Sequence, residues 1–407
     1  MRFNNNLSKT FKSLTRSFSL TRSNMATAPQ VYTIKELTDA QKNYIKASVP
    51  VLELSGLDLT KQFYNYMLDN YDEVKPFFNA SNQVTFKQPK VLAFALLNYA
   101  KNIDDLTPLH DFVEQIVVKH VGLQVKAEHY PIVGNSLITT IKNLLGPEVA
   151  TEEFVDAWVT AYGNLAQILI DAEHSLYQKQ PWQGFREFTV TKLVDECADV
   201  KSVYFTPKDG GKIGMPLSGQ YLGFRFITED SDIQKSREYS ISDIPHNNEY
   251  RISVRKVGDG VVSSHIHEKL KTGDTILVAP PAGRLIYQET DKDMVIFAGG
   301  IGITPLVSII EKGLADNKSV TLLNSNRGES HRPFGEWMSE LKLKYPKFTV
   351  QEYIETKLTP QDISNLELAN KEVYLLGPSS YMNFVREELA KNSVQKVHSE
   401  YFGPTEV

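Results

Sequence analysis

A single cysteine, Cys197, is all the thiol chemistry that this 407-residue chain offers, which excludes an internal disulfide and a thiolate zinc site. One thiol also suits a reducing compartment. No apolar run reaches the ~18 residues that a membrane helix needs. There is no long basic block and the net charge is −5, which argues against nucleic acid as a partner. Acidic residues are missing from the N-terminus, where none precedes Glu36, while Arg2, Lys9, Lys12, Arg16 and Arg22 stand among Ser8, Ser13, Ser17, Ser19 and Ser23. Residues 1–30 therefore read either as a transit peptide or as a disordered tail, with Met25 available as a second start.

What is present divides into three rhythms, and the length suits about two to three domains. From about Thr33 to Tyr177 apolar residues recur every three or four positions, as in Leu59–Leu68 and Phe154–Leu169, with Gly146-Pro147 and Thr151-Glu-Glu as stop and start signals. After Pro181-Trp-Gln-Gly184 the pattern alternates, in Tyr221–Ile227, Glu249–Val254 and Asp274–Ala279, and predicts a small antiparallel barrel. After Asp291 the apolar strands Met294–Phe297, Val320–Leu323 and Val373–Leu376 alternate with helices, the pattern of a parallel α/β sheet. The expected domains are 31–180, 181–290 and 291–407.

Three motifs carry chemistry. In His110–His120, Phe112, Ile116 and His120 share one helical stripe with Val113, Val117 and Val121 beside it, so an imidazole sits on a greasy face where it can hold an iron porphyrin. A histidine satisfied by a nearby carbonyl is the bland alternative. Phe297-Ala-Gly-Gly-Ile-Gly-Ile-Thr-Pro305 follows a strand and precedes a helix, so Gly299, Gly300 and Gly302 permit a tight turn close to a pyrophosphate. Thr304 suits the N-cap of that helix and Pro305 its first turn. Arg237-Glu-Tyr-Ser240 places a forked cation, a flat ring and a hydroxyl along one strand, and Gly260-Val-Val-Ser263 supplies a backbone site downstream. An exposed strand with a solvated arginine is the ordinary alternative for Arg237. Together the loops suggest flavin followed by nicotinamide.

The order Arg-x-Tyr-Ser, Gly-x-x-Ser, Gly-Gly-x-Gly-x-Thr-Pro, a strand ending in Gly377-Pro378, then Glu400-Tyr-Phe-Gly-Pro404, resembles the ferredoxin–NADP reductase superfamily. With a helical domain in front, the chain from about residue 31 resembles the flavohaemoglobins. The resemblance implies an all-α globin, an antiparallel FAD-binding barrel and an α/β NAD(P)-binding domain. It implies haem b, FAD and NADH or NADPH as cofactors.

It further implies His120 as iron ligand, in Lys119-His120, backed by a relay of Tyr130 and Glu173. Tyr64 and Gln88 would donate to dioxygen at the haem, Leu92 would pack on the gas, and Phe78 would lie on the porphyrin. The flavin would meet Tyr221, Arg237, Glu238, Tyr239, Ser240, Gly260, Val262, Ser263 and Phe402, with Glu400 and Lys119 near the gap between flavin and haem. The nicotinamide coenzyme would meet Gly300, Ile301, Gly302, Ile303, Thr304, Pro305, Gly377 and Pro378, and Arg327 is a candidate for a 2′-phosphate. Two departures stand out: Leu376 where many relatives carry cysteine, and Arg284-Leu285 where an aromatic residue often follows Pro-Ala-Gly.

The activity implied is nitric oxide dioxygenation in a cytoplasmic monomer acting on small molecules, with a mitochondrial form if residues 1–30 direct one. A haem-linked NAD(P)H oxidoreductase with another acceptor, or a haem-based gas sensor, are the rival readings.

Overall fold

The computed structural model describes residues 27–78, 87–229 and 231–400, apart from the side chains of Lys87, Gln88 and Ser231. The N-terminal run through Ala26, the Gln88 side chain and Phe402 lie outside the described residues. The chain forms two compact units, one running to Gln180 and also taking in Ile233–Ser236, the other beginning at Pro181 and holding the remaining described residues.

The first unit is helical: α1 (Asp39–Ala47), α2 (Val49–Asn70), α3 (Lys87–Lys101), α4 (His110–Leu123), α5 (Tyr130–Val149) and α6 (Glu152–Tyr177). Local chemistry sets the ends. The Thr38 hydroxyl accepts from the Gln41 N–H and Thr151 from the Phe154 N–H, each capping a helix start. The Gly146-Pro147 stop is softer than the sequence suggests. Gly146 kinks α5 at φ 68°, and the helix then resumes for one turn to Val149. Helices α2 and α3 approach closely, where Thr60 donates to the Pro89 carbonyl at 2.9 Å. A core of Leu59, Phe63, Met67, Leu96, Tyr99, Leu137, Phe154 and Trp158 fills the interior. Gln167 fastens the incoming chain, accepting from Val31 and Tyr32 N–H and donating to the Pro29 carbonyl, so residues 29 and 30 already belong to the globular structure.

The second unit holds two sheets. The first has six strands: β1 (Arg186–Cys197), β2 (Val200–Pro207), β3 (Tyr221–Thr228), β4 (Ser231–Ser240), β5 (Tyr250–Arg255) and β6 (Thr275–Val278), in the order β4-β3-β6-β1-β2-β5. Ile241 bridges Ile252, which links the two outer strands and closes the barrel. Phe188, Phe205, Phe224 and Tyr250 fill it, with Phe205 edge-on to Phe188 and Phe224. Helix α7 (Val261–Glu268) follows β5.

The second sheet is parallel, in the order β11-β10-β7-β8-β9: β7 (Met294–Gly299), β8 (Val320–Asn326), β9 (Phe348–Ile354), β10 (Glu372–Leu376) and β11 (His398–Ser399). All six residues of β7 and all five of β10 are buried, as strands covered on both faces require. Helices α8 (Thr304–Ala315), α9 (Gly335–Lys344), α10 (Pro360–Ser364) and α11 (Ser379–Lys391) complete this half. From β7 the chain winds one way through β8 and β9, then returns to β10 on the other side. The carboxyl ends of β7 and β10 therefore flank a topological switch point, the usual place for a nucleotide.

Candidate haem and dinucleotide sites

The histidine on α4 is held from behind. Glu173 Oε1 lies 2.8 Å from His120 Nδ1 and accepts the Tyr130 hydroxyl at 2.5 Å, while Tyr130 Oη is 3.1 Å from the same Nδ1. A carboxylate only accepts, so Nδ1 carries a proton, and in the neutral imidazole Nε2 is then the nitrogen with the lone pair. Glu173 is 2% exposed, whereas the His120 side chain is 30% exposed. Burial, reinforced by the Glu173 charge and its hydrogen bond, pushes the Tyr130 hydroxyl well above its ordinary pKa, so it stays a donor.

The supports of this triad are themselves fixed. Gln124, with φ 59°, ends α4, its backbone N–H closing onto His120 and Val121, and Val125 N–H returns to the His120 carbonyl at 2.9 Å. Tyr177 donates to Val125 O at 2.5 Å, and Tyr162 donates to Tyr130 O at 2.6 Å. Gly134 gives Tyr162 its room, since a Cβ there would fall 2.6 Å from the ring.

Phe112, Ile116 and His120 form the half-buried stripe of α4, while Val117 and Val121 turn into the core. An outward lone pair on an apolar, incompletely covered face fits an iron porphyrin. Elsewhere in the unit, Tyr64 packs edge-on against Phe78 at 5.4 Å and Phe63 at 5.0 Å. Burial raises the Tyr64 pKa, which keeps its hydroxyl protonated as a donor. Leu92 packs on the same core, and Lys119 is half-buried. Replacing Glu173 by glutamine keeps an oxygen where both hydrogen bonds end and removes only the charge. The expected result is a retained haem with a raised reduction potential and turnover lower by roughly 10- to 100-fold. An unchanged potential in a spectroelectrochemical titration would rule out the electronic role.

In the second unit Tyr221 is buried, and its pKa is raised by burial and then by the nearby Glu238 and Glu400 carboxylates. Gly283, at φ 121°, lets the ring approach, and a Cβ there would lie 3.0 Å from Tyr221 and 3.6 Å from Glu400 Oε2. Glu400 reaches this place because β11 is pinned: His398 Nε2 lies 2.7 Å from buried Glu372, and its ring stacks on Tyr374. On β4, burial lowers the Arg237 pKa, Tyr239 packs towards Phe224 at 5.7 Å, and Ser240 is buried.

Gly260 caps α7 with no side-chain partner, which leaves backbone N–H groups at Val261 and Val262 for an anion. Val262 itself is buried in the barrel core. Ser263 turns back instead, its Oγ accepting from Val257 N–H at 3.1 Å and donating to Gly260 O at 3.0 Å. It shapes the loop.

At the switch point the glycines interlock. A Cβ on Gly302 would stand 2.7 Å from Gly377 N and from Leu376 C and O, and one on Gly377 would stand 3.1 Å from Gly299 Cα. Gly300 turns at φ 52°, and a 3-10 turn through Ile301 and Ile303 leads into α8. Thr304 does not cap α8. It is the first helical residue, its hydroxyl donates to Ile301 O at 2.9 Å, and Ile303 takes the cap position ahead of Pro305. Pro378 precedes α11 as its cap residue. Leu376 is fully buried, and Arg284 is exposed while Leu285 enters the α/β core. Arg327 follows β8 and donates to Asp199 at 2.8 Å.

Sequence reasoning passed over Arg255, at the end of β5. Its Nη1 lies 3.7 Å from where a Gly300 Cβ would be, beside the glycine turn. These loops fit phosphate-bearing dinucleotides: open N–H groups, close backbone approach and a cation at hand.

An imidazole braced by a carboxylate in one unit, on a chain whose other unit pairs a barrel with a nucleotide sheet, defines a class: a globin joined to a flavin-type reductase. The globin family matches residues 61–169 and the oxidoreductase FAD-binding domain matches residues 187–287. A flavohemoprotein of Schizosaccharomyces pombe is 49% identical over 92% of this chain and 93% of its own length, and one of Candida albicans 51% identical over 92% and 98%. The chain belongs to the flavohemoprotein family. Its fold is similar to a flavohemoglobin from Malassezia yamatoensis solved with bound FAD and heme (TM-score 0.81, 23% identity, 91% of this chain and all of that one). It is also similar to the FAD/NAD-binding domain of a Vibrio cholerae nitric oxide dioxygenase (TM-score 0.52, 30% identity, 55% of this chain and all of that one).

Proposed function

We propose that the chain is a nitric oxide dioxygenase that uses NAD(P)H, FAD and haem b and removes nitric oxide as nitrate. FAD, held by the residues of the barrel named below, would supply hydride acceptance and single-electron release, and haem, held by His120, would supply the iron for dioxygen chemistry on nitric oxide. The chain's own residues bind, orient and hold protons. His120 offers Nε2 because Glu173 fixes the proton on Nδ1, and Tyr130 shares the same carboxylate oxygen, which makes the imidazole a strong donor. Tyr64, kept protonated by burial, serves as hydrogen-bond donor on the gas side, joined by Gln88. Leu92, Phe78 and Lys119 line the haem.

Tyr221, Arg237, Glu238, Tyr239, Ser240, Gly260, Glu400 and Phe402 hold the flavin, with Val262 contributing its backbone N–H and Ser263 shaping the loop that presents it. Gly300 to Pro305, Gly377 and Pro378 hold the coenzyme, with Arg255 on its pyrophosphate. The observation that carries the reading is the single Glu173 oxygen serving both His120 and Tyr130. The test is anaerobic flavin reduction followed by nitric oxide consumption in oxygenated buffer, with nitrate counted against coenzyme. Coenzyme oxidation indifferent to nitric oxide would favour a reductase with another acceptor.

The domains run 31–180, with residues 29 and 30 joined to it through Gln167, then 181–290 and 291–407 in this reading, and the chain works as a monomer in the cytoplasm, with the residues before 29 directing a mitochondrial form if they act as a transit peptide. Among the described residues no helix is long and apolar enough to cross a membrane. Arg255→Ala is expected to raise the coenzyme KM roughly tenfold and to leave the visible spectra of haem and flavin unchanged. Stopped-flow reduction at varied NADH checks it.

A further inference from the structure

The end of β8 distinguishes coenzymes. In a nucleotide-binding β-α-β unit the adenosine ribose meets the carboxyl end of the second strand, and an arginine there accommodates a 2′-phosphate. Here β7, α8 and β8 form that unit, and Arg327 directly follows β8.

Arg327 is not left to a ligand alone. Its Nη2 donates at 2.8 Å to Oδ2 of Asp199, which reaches over from the turn between β1 and β2. Exposed ion pairs are usually loose, and the Arg327 side chain is 64% exposed, but that of Asp199 is only 16% exposed. Its turn is tied down as well: Lys256 N–H donates to the Asp199 carbonyl at 2.8 Å, and Ala198 N–H donates to the Ser330 carbonyl at 2.9 Å. The carboxylate is thus held in place, where it adds negative charge to the spot a 2′-phosphate would occupy.

Beside it, Asn326 is 6% exposed, and neither Nδ2 nor Oδ1 has a hydrogen-bond partner. A buried amide with both ends unused is costly unless something neutral and polar pairs with it, and a ribose diol has that chemistry.

We infer that Asp199 occupies Arg327 and so biases the site toward NADH over NADPH, with Asn326 recognising the ribose hydroxyls. This rests on the reading of the second unit as a pyridine-nucleotide reductase. The test is stopped-flow bleaching of the bound flavin in the full-length holoprotein, with NADH and NADPH varied separately. The wild-type chain reduces its flavin with a higher kcat/KM for NADH. Asp199→Asn raises the NADPH value about tenfold, the size expected from removing one negative charge a few ångströms from a phosphate, and moves the NADH value by less than about twofold. Asp199→Ser, which shortens the side chain, shifts in the same direction. Adding Arg327→Ala to either variant abolishes the gain.

A wild-type preference for NADPH, equal changes for both coenzymes, or a gain that survives loss of Arg327 would each overturn the inference. If neither coenzyme bleaches the wild-type flavin, the reductase reading itself fails, which is a separate result.

Discussion

His120→Ala yields a protein that carries flavin and no haem: the flavin absorbance is retained, the Soret band is absent, and nitric oxide consumption falls to background. The reason is local. No other described side chain on the half-buried stripe of α4 can ligate iron, since its neighbours are Phe112 and Ile116. The substitution also takes one partner from Glu173, which remains buried with the Tyr130 hydroxyl at 2.5 Å. Losing one hydrogen bond to a buried charged group costs about 1.5–3 kcal/mol, so the first unit should also melt earlier. His120→Gly with free imidazole in the medium separates the two effects, because a diffusible ligand can refill the position and restore the Soret band. NADH-dependent ferricyanide reduction reads the second unit alone and should stay within about twofold of wild type, since His120 belongs to the other unit. A normal haem content in the alanine variant would remove the basis of the proposed function.

The iron-ligand candidate was legible because a lone imidazole interrupts an apolar helical stripe. Its support was not. Tyr130 and Glu173 lie 10 and 53 positions away on other helices. Periodicity says that each sits on a helix and nothing about where those helices cross, so only resemblance pointed to them. The same limit hid Arg255, which reads as an ordinary strand end until β5 brings it to Gly300, 45 residues later. Strands with clean alternation were visible, whereas β1 was not, because a bulge between Val190 and Lys192 breaks its period. Two-residue β11 has no pattern to read. Thr304 shows the opposite failure: a good cap residue was assigned the cap, but the preceding 3-10 turn moves the helix start onto it.

Gly302→Ala is expected to cripple hydride delivery while sparing the haem. The added methyl would stand 2.7 Å from Gly377 N and from Leu376 C and O, all of them backbone atoms in or beside the buried strand β10. A flexible side chain could swing aside, but this backbone cannot, so the glycine turn and the end of β10 must part. Overpacking of this kind costs about 1–3 kcal/mol, or roughly 5- to 150-fold in coenzyme kcat/KM if the whole cost falls on the bound geometry. The loss should exceed that of Arg255→Ala, because it displaces the start of α8 as well as the loop. Gly258→Ala is the control, since a Cβ there meets nothing within 4 Å. Dithionite bypasses the coenzyme, so a single turnover of chemically reduced protein with oxygen and nitric oxide should proceed as in wild type. Flavin reduction by NADH at the wild-type rate in the Gly302 variant would show that close packing at the switch point does not shape the coenzyme site.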